Sequence, residues 1–223
     1  MKVLIACEES QTECKAFRAL GCEAYSCDIL EPSGKHPEWH IHGDALEALK
    51  GGVITTMDGV AHEIGNWDLL IAHPPCTYLA NVGSRWLYKD GELNYERVEL
   101  SHKAKAFFME FLTSDILHIC VENPIPSKIH GLPRYDQKVH PYQFYGKLHP
   151  YTKATCYWLK NLPLLIPIDS VAPIGGWIYN SQGFSYADIE ASKRGVPRSQ
   201  MHSKSFEGVA RAMAEQWGSY LNG

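Results

Sequence analysis

Apolar positions fall into short runs separated by polar, Gly- and Pro-bearing segments, and the length and period of each run predict its element. Lys2-Val3-Leu4-Ile5-Ala6-Cys7 predicts a first buried strand. Ser10-Gln11-Thr12-Glu13 has the form of a capping box, in which the Ser10 hydroxyl and the Glu13 carboxylate satisfy free amides of a first helical turn. The helix it opens carries Cys14, Phe17, Ala19 and Leu20 and stops at Gly21, a natural residue just past a helix end. Glu23-Ala24-Tyr25-Ser26-Cys27 predicts strand two, running into Asp28-Ile29-Leu30. Pro32 to His42 is polar and predicts a loop. Gly43-Asp44-Ala45-Leu46 predicts the end of a third strand or the turn after it, with a short helix to Lys50.

Trp67-Asp68-Leu69-Leu70-Ile71-Ala72 is apolar enough to be a strand covered on both faces, and Pro74 and Pro75 stop it. Tyr78 to Asn94 predicts a long loop with basic and aromatic residues, of the kind that acts as a lid. Glu96 to Thr113 carries Val98, Leu100, Ala104, Phe107, Phe108, Phe111 and Leu112 roughly on one side, an amphipathic helix. Ile116 to Val121 and Ala154 to Leu159 predict two more strands, and Phe206 to Leu221 a core-packing final helix. Strand, helix, strand, then an acid about twenty positions on is the first half of a nucleotide-binding α/β unit.

A length of 223 residues suits one domain, residues 1–223, with a short basic and aromatic insertion at about 124–202 as its substrate-binding region. The net charge of -4 predicts no general attraction to nucleic acid or to anionic membranes, so any polyanion-binding surface is local. Lys128, Arg134, Lys138, Lys147, Lys153 and Lys160, interleaved with Tyr135, Tyr142, Phe144, Tyr145 and Tyr151, supply such a stretch; a solvated loop face is the alternative. A second basic group is Lys193, Arg194 and Arg198. The apolar runs are far shorter than a membrane span, and Glu8 and Glu9 follow Ala6-Cys7 at once, which predicts a strand and not a signal peptide. Seven cysteines, an odd number with no Cys-x-x-Cys, predict reduced thiols in a cytoplasmic protein. His36, His40 and His42 cluster with Trp39, but no cysteine or further carboxylate stands at metal-ligand spacing, and no metal site is assigned.

Several positions carry chemistry. Cys76 follows the end of a central strand, where α/β sheets bind ligands; a buried thiol in a turn is the alternative. Glu8 and Glu9 stand where a dinucleotide fold has a glycine-rich turn. They would repel a pyrophosphate and suit a cation-bearing ligand, or they simply complement the helix dipole. Asp28 suits ribose hydroxyls. Asp44 suits an adenine amino group or caps the short helix. Glu122, directly after an apolar run, is costly to bury without a partner, and either has a function or pairs locally.

Together these residues resemble the DNA cytosine-5 methyltransferase family, in a compact form of the kind found in phages and prophages. Pro74-Pro75-Cys76 resembles its Pro-Cys nucleophile loop, and Glu122-Asn123 its Glu-Asn-Val motif, with Pro124 replacing Val. Strand one and its helix resemble the cofactor-binding first motif, without the family's glycines. Asp28 and Asp44 fall where the family has its ribose- and adenine-binding acids. Ser203-Lys204-Ser205 and the last helix resemble the motif that returns to the cofactor pocket.

The resemblance implies a Rossmann-like S-adenosylmethionine-dependent methyltransferase fold, a mostly parallel sheet with helices on both faces. It implies S-adenosylmethionine bound by Cys7, Glu8, Glu9, Asp28, Ile29, Asp44, Pro74 and Ser205. Double- or single-stranded DNA is the implied substrate. Cys76 would add to C6 of cytosine, Glu122 would donate at N3, and Asn123 would fix Glu122. Thr152-Lys153-Ala154-Thr155 stands where the family has a Gln-x-Arg-x-Arg motif, so contacts to the base O2 or a phosphate fall to Lys153, Lys147 or Thr155. No separate target-recognition domain is evident, which leaves reduced specificity, a single-stranded or nucleotide-level substrate, a partner protein or a homo-oligomer to account for it. The rival readings are an amino-methyltransferase and a degenerate, non-catalytic nucleotide-binding module with a regulatory role.

Overall fold

The computed structural model describes residues 1–178 and 185–223, so residues 179–184 of the expected substrate-binding region lie outside the described residues. In chain order the first elements are β1 (Lys2–Ala6), α1 (Thr12–Ala19), β2 (Glu23–Asp28), β3 (His40–His42) and α2 (Ala45–Ala48). A hairpin of β4 (Gly52–Thr55) and β5 (Ala61–Gly65) precedes β6 (Leu69–Ala72). A second, small hairpin, β7 (Tyr88–Lys89) and β8 (Glu92–Leu93), leads into α3 (Tyr95–Leu112). Then come β9 (His118–Pro124), β10 (Gln137–Val139), β11 (Tyr151–Thr152), β12 (Thr155–Lys160) and β13 (Gly175–Gly176). The chain closes with α4 (Tyr186–Arg194), α5 (Arg198–Ser203) and α6 (Glu207–Asn222).

Seven strands form one sheet in the order β10-β12-β9-β6-β1-β2-β3. β3, β2, β1, β6 and β9 are mutually parallel, whereas β12 runs antiparallel to both β9 and β10. The chain leaves β1 toward β2 and β3 on one side and later returns to β6 on the other. The carboxyl ends of β1 and β6 therefore form the topological switch point, where such sheets open a crevice.

Strand alternation gives the sheet two apolar faces. Val3, Ile5, Leu69, Ile71 and Cys120 pack against Cys14 and Phe17 of α1 and Val209, Met213 and Trp217 of α6. Leu4, Ala6, Leu70, Ala72 and Val121 pack against Ala45 and Ala48 of α2 and Phe108 and Phe111 of α3. The mixed α/β architecture, with helices on both faces of a mostly parallel sheet, is the one expected from the sequence. Both long helices lie within one residue of their expected bounds.

Three local expectations are corrected. The first helix is not closed by a Ser10/Glu13 capping box. Gln11 takes a left-handed conformation (φ 57°), and the Glu8 carboxylate accepts the amides of Glu13 (2.7 Å) and Cys14 (3.3 Å) instead. His40 to His42, expected in a loop, forms edge strand β3. Its polar sequence is tolerated because His40, fully buried, hydrogen-bonds the Ser26 hydroxyl (2.9 Å) and the Leu30 carbonyl (3.0 Å). The His40 and His42 rings lie 6.4 Å apart, but each histidine has its own partner: His36 pairs with Glu38 (2.8 Å) and stacks on Trp39, and His42 reaches the Ile29 carbonyl (2.9 Å). Finally, the basic stretch contributes β10 to the sheet. All seven cysteines are free. Among the described residues no helix is long and apolar enough to cross a membrane.

Candidate active site

Strand register sets a row of polar residues along the carboxyl edge of the sheet. Ala6 pairs with Cys27 and with Ala72, and Ala72 with Val121, so the next residues out are Asp28, Cys7, His73 and Glu122, on four adjacent strands. The His73 amide continues the ladder by donating to the Ala6 carbonyl (2.9 Å). Beyond it Pro74 is buried, Pro75 is exposed and Cys76 is partly covered. The Cys76 carbonyl accepts the amides of Leu79 (3.0 Å) and Ala80 (2.9 Å), which turns the loop back on itself. Asn81 N–H then donates to the Ile125 carbonyl (2.8 Å) and Ser127 N–H to the Leu79 carbonyl (3.0 Å). These bonds tie the cysteine loop to the segment that follows Glu122-Asn123-Pro124. Two stretches distant in sequence thus form one unit.

Alternation along β9 decides which side chains can meet. Glu122 lies on the face of Cys120, toward α1 and α6, as His73 lies on the face of Ile71. On that side Lys153 bridges to the chain before α6: its ammonium donates to the Lys204 carbonyl (3.3 Å) and sits 5.3 Å from the centre of the Phe206 ring. Burial pushes the Lys153 ammonium down from its ordinary pKa, while Glu122, Cys76 and Glu13 oppose that shift. Burial, followed by the Glu122 carboxylate, pushes the Cys76 thiol up, and Lys153 pulls it down. Cys76, Glu122 and Lys153 therefore act on one another electrostatically.

Asn123 occupies the opposite face and is fully buried; its amide donates to the Pro124 carbonyl (2.5 Å), and its Oδ1 has no protein partner. It shapes the turn after β9. The expectation that Asn123 fixes Glu122 is corrected, because neighbours on a strand point to opposite faces.

The expected cofactor residues divide into two groups. Cys7 has a left-handed conformation (φ 59°) at the turn after β1, and its thiol is pushed up by burial and then by Asp28, Cys27 and Asp44. Burial raises the Asp28 carboxyl, although Leu30 N–H donates to it (2.9 Å); Ile29 beside it is 74% exposed. Asp44 is exposed and caps α2 by accepting the Leu46 amide (2.9 Å). Glu9 holds the next loop through Ser33, whose amide lies 3.3 Å from its carboxylate. Glu8, in contrast, is 4% exposed and spent on α1, so the expectation that it faces a ligand is corrected. Ser205 lies in the Lys204–Phe206 segment, on the Lys153 side.

Sequence reasoning gave Glu13 only a capping role and no place in the site. Its side chain is buried, Oε1 lies 3.6 Å from His73 Nε2, and its Oε2 and that ring nitrogen have no hydrogen-bond partner. The signal was available: Glu13 shares a helix face with Phe17, four residues on, and so points inward. In the basic region Lys128, Arg134, Lys138 and Lys147 are exposed. Lys160 is committed to the Ser114 carbonyl (2.8 Å). Lys193 and Arg194 pair with Glu190, and Arg198 with Asp188, so the second basic group is balanced by acids.

The structure defines a doubly wound α/β chain with a cysteine loop at its switch edge. No family model matches the chain, and no curated protein matches it. Among solved structures, one from E. coli described as a candidate DNA modification methyltransferase encoded within a prophage is similar at 16% identity with a TM-score of 0.43. The similarity covers 80% of this chain and 54% of that one, so this chain spans about half the length of that structure.

Proposed function

We propose that the chain methylates cytosine at C5 in DNA, using S-adenosylmethionine, with Cys76 as nucleophile. The observation that carries this reading is that the Cys76 loop and the segment after Glu122 are tied together at the carboxyl edge of adjacent parallel strands, by the Asn81–Ile125 and Ser127–Leu79 bonds. C5 of cytosine is too weak a nucleophile to take a methyl group directly. Addition of a thiolate to C6 makes it enamine-like, and cysteine can both add and leave. Cys76 gives its thiol proton to the Glu122 carboxylate as it adds, and Glu122 delivers that proton to N3 as charge builds there. Lys153 favours the thiolate and balances the carboxylate. Once C5 has taken the methyl group its proton passes to a base or water, N3 returns its proton to Glu122, and expulsion of Cys76 restores the ring.

The residues at the β1 and β2 ends fit the cofactor in kind. The amides at the start of α1 are already occupied by Glu8, so the turn offers little to a pyrophosphate. Asp28, Asp44 and Glu9 present acceptors and negative charge, which suit a ribose, an amino group and a cationic centre. When bound, S-adenosylmethionine supplies an electrophilic methyl group. Asp28 and Asp44 would hold its nucleoside, and the turn at Cys7 would lie against it. DNA from cells expressing the chain tests the reading by nucleoside mass spectrometry. 5-Methylcytosine is expected. N4-methylcytosine would assign an amino-methyltransferase instead, and unmodified DNA would overturn the proposal.

A further inference from the structure

Beside the Cys76 loop lies an open recess of about 580 Å³, within the ~300–1,000 Å³ of small-molecule sites. Tyr78, two residues past Cys76, lines it together with Trp86, Tyr88 and Arg97. Trp86 and Tyr88 are 57% and 58% exposed, yet the segment that carries them is anchored: Leu87 between them is buried, and Asn94 caps α3 by accepting the Arg97 amide (3.1 Å). Guanidinium groups lie over two of the rings, Arg85 over Trp86 and Arg97 over Tyr78, each at 5.0 Å. Arg97 also donates to the Thr77 carbonyl (3.0 Å), which fixes the Tyr78 platform to the cysteine loop. Asp90, Glu96 and Lys89 share the lining, so with Arg97 the charges balance, and the two carboxylates can accept hydrogen bonds from amino groups. Flat rings, flat cations and acceptors together fit a nucleobase better than a backbone.

We propose that this recess holds an unpaired nucleobase of the substrate strand, close to the base attacked by Cys76. The inference deepens the proposed function and rests on it for the position of the target. It names the substrate as single-stranded, or opened around the target, because a base stacked in the recess has left its partner.

Binding of a short labelled single-stranded DNA oligonucleotide to the full chain, read by fluorescence anisotropy, tests this. Trp86→Ala is expected to weaken binding about tenfold, and Trp86→Phe, which keeps a ring, to bind like the wild type. An abasic site beside the target cytosine should weaken wild-type binding by a similar factor and leave Trp86→Ala binding unchanged. Equal affinity for wild type and Trp86→Ala, or equal abasic losses in both, overturns the proposal. If Cys76 still forms a covalent adduct with the substrate in that case, the recess assignment fails alone. Trp86-dependent binding without any adduct supports the recess and overturns the catalytic reading.

Discussion

Replacing Glu8 separates a buried helix cap from a ligand contact. Its carboxylate is 4% exposed and accepts two amides of α1. Glu8→Ala removes both acceptors and strands those donors beside the sheet. Loss of a cap costs ~1–2 kcal/mol, and an unsatisfied buried donor ~1–3 kcal/mol. These terms share the same bonds, so the expected loss is about 2–4 kcal/mol. At ~2–4 °C per kcal/mol for a chain of this size, Tm falls by about 5–15 °C. Glu8→Gln retains one oxygen and should lose about half as much or less near neutral pH.

The pH dependence has a definite sign. Burial, then the neighbouring Glu13 charge, pushes the Glu8 carboxyl well above the ordinary range. The folded chain holds that proton more tightly than the unfolded chain does. The resulting stability is fully present below the unfolded carboxyl pKa, about 4.3, and is lost as pH rises through the folded value. Glu8→Gln has no such proton, so its stability relative to wild type improves as pH rises above the ordinary carboxyl range. Thermal melts followed by circular dichroism across that rise, with S-adenosylmethionine titrations of the Gln variant, read both effects. Wild-type stability in Glu8→Ala, or an unchanged pH slope in Glu8→Gln, would refute the capping argument. Weakened cofactor binding by a fully folded Gln variant would return Glu8 to the ligand surface.

Two further perturbations probe the packing and the site. Gly208→Ala would ordinarily stabilise a helix by ~1 kcal/mol, but a Cβ there would run into the Phe144 carbonyl. Urea unfolding is expected to show a net loss of about 1–3 kcal/mol, and a gain would refute the close approach of α6. Lys153→Met and Glu122→Gln should move the Cys76 thiol in opposite directions, up and down respectively. At fixed pH, iodoacetamide should alkylate Cys76 more slowly in the first and faster in the second; the same direction in both would break the proposed coupling.

Elements with a strong apolar period were legible in the sequence: β1, β2, β6, β9, β12, α3 and α6 lie close to where patterning puts them. The failures share a cause. β3 is three residues long, and its burial depends on His40 meeting Ser26 and Leu30, contacts that no local pattern records. The start of α1 has the letters of a capping box, but left-handed turns at Cys7 and Gln11 bring Glu8 to the amides first. At the candidate site, Cys76 and Glu122 could be singled out because each follows an apolar strand and breaks its pattern. The role of Lys153 depends on the segment before α6 lying beside the turn that precedes β12, a long-range contact. Asn123 was paired with Glu122 by adjacency, and the pleat of the strand separates them.

The central claim is that Cys76 attacks a cytosine, and a trapped intermediate tests it most directly. With 5-fluorocytosine in the DNA, methylation leaves C5 without a proton to lose, so Cys76 cannot be expelled and the chain stays bound. Incubation with S-adenosylmethionine and such DNA, single- or double-stranded, should give an adduct that survives denaturation and maps to Cys76, and Cys76→Ser should give none. Cofactor binding shown separately, with no adduct on any of these substrates, would contradict the account.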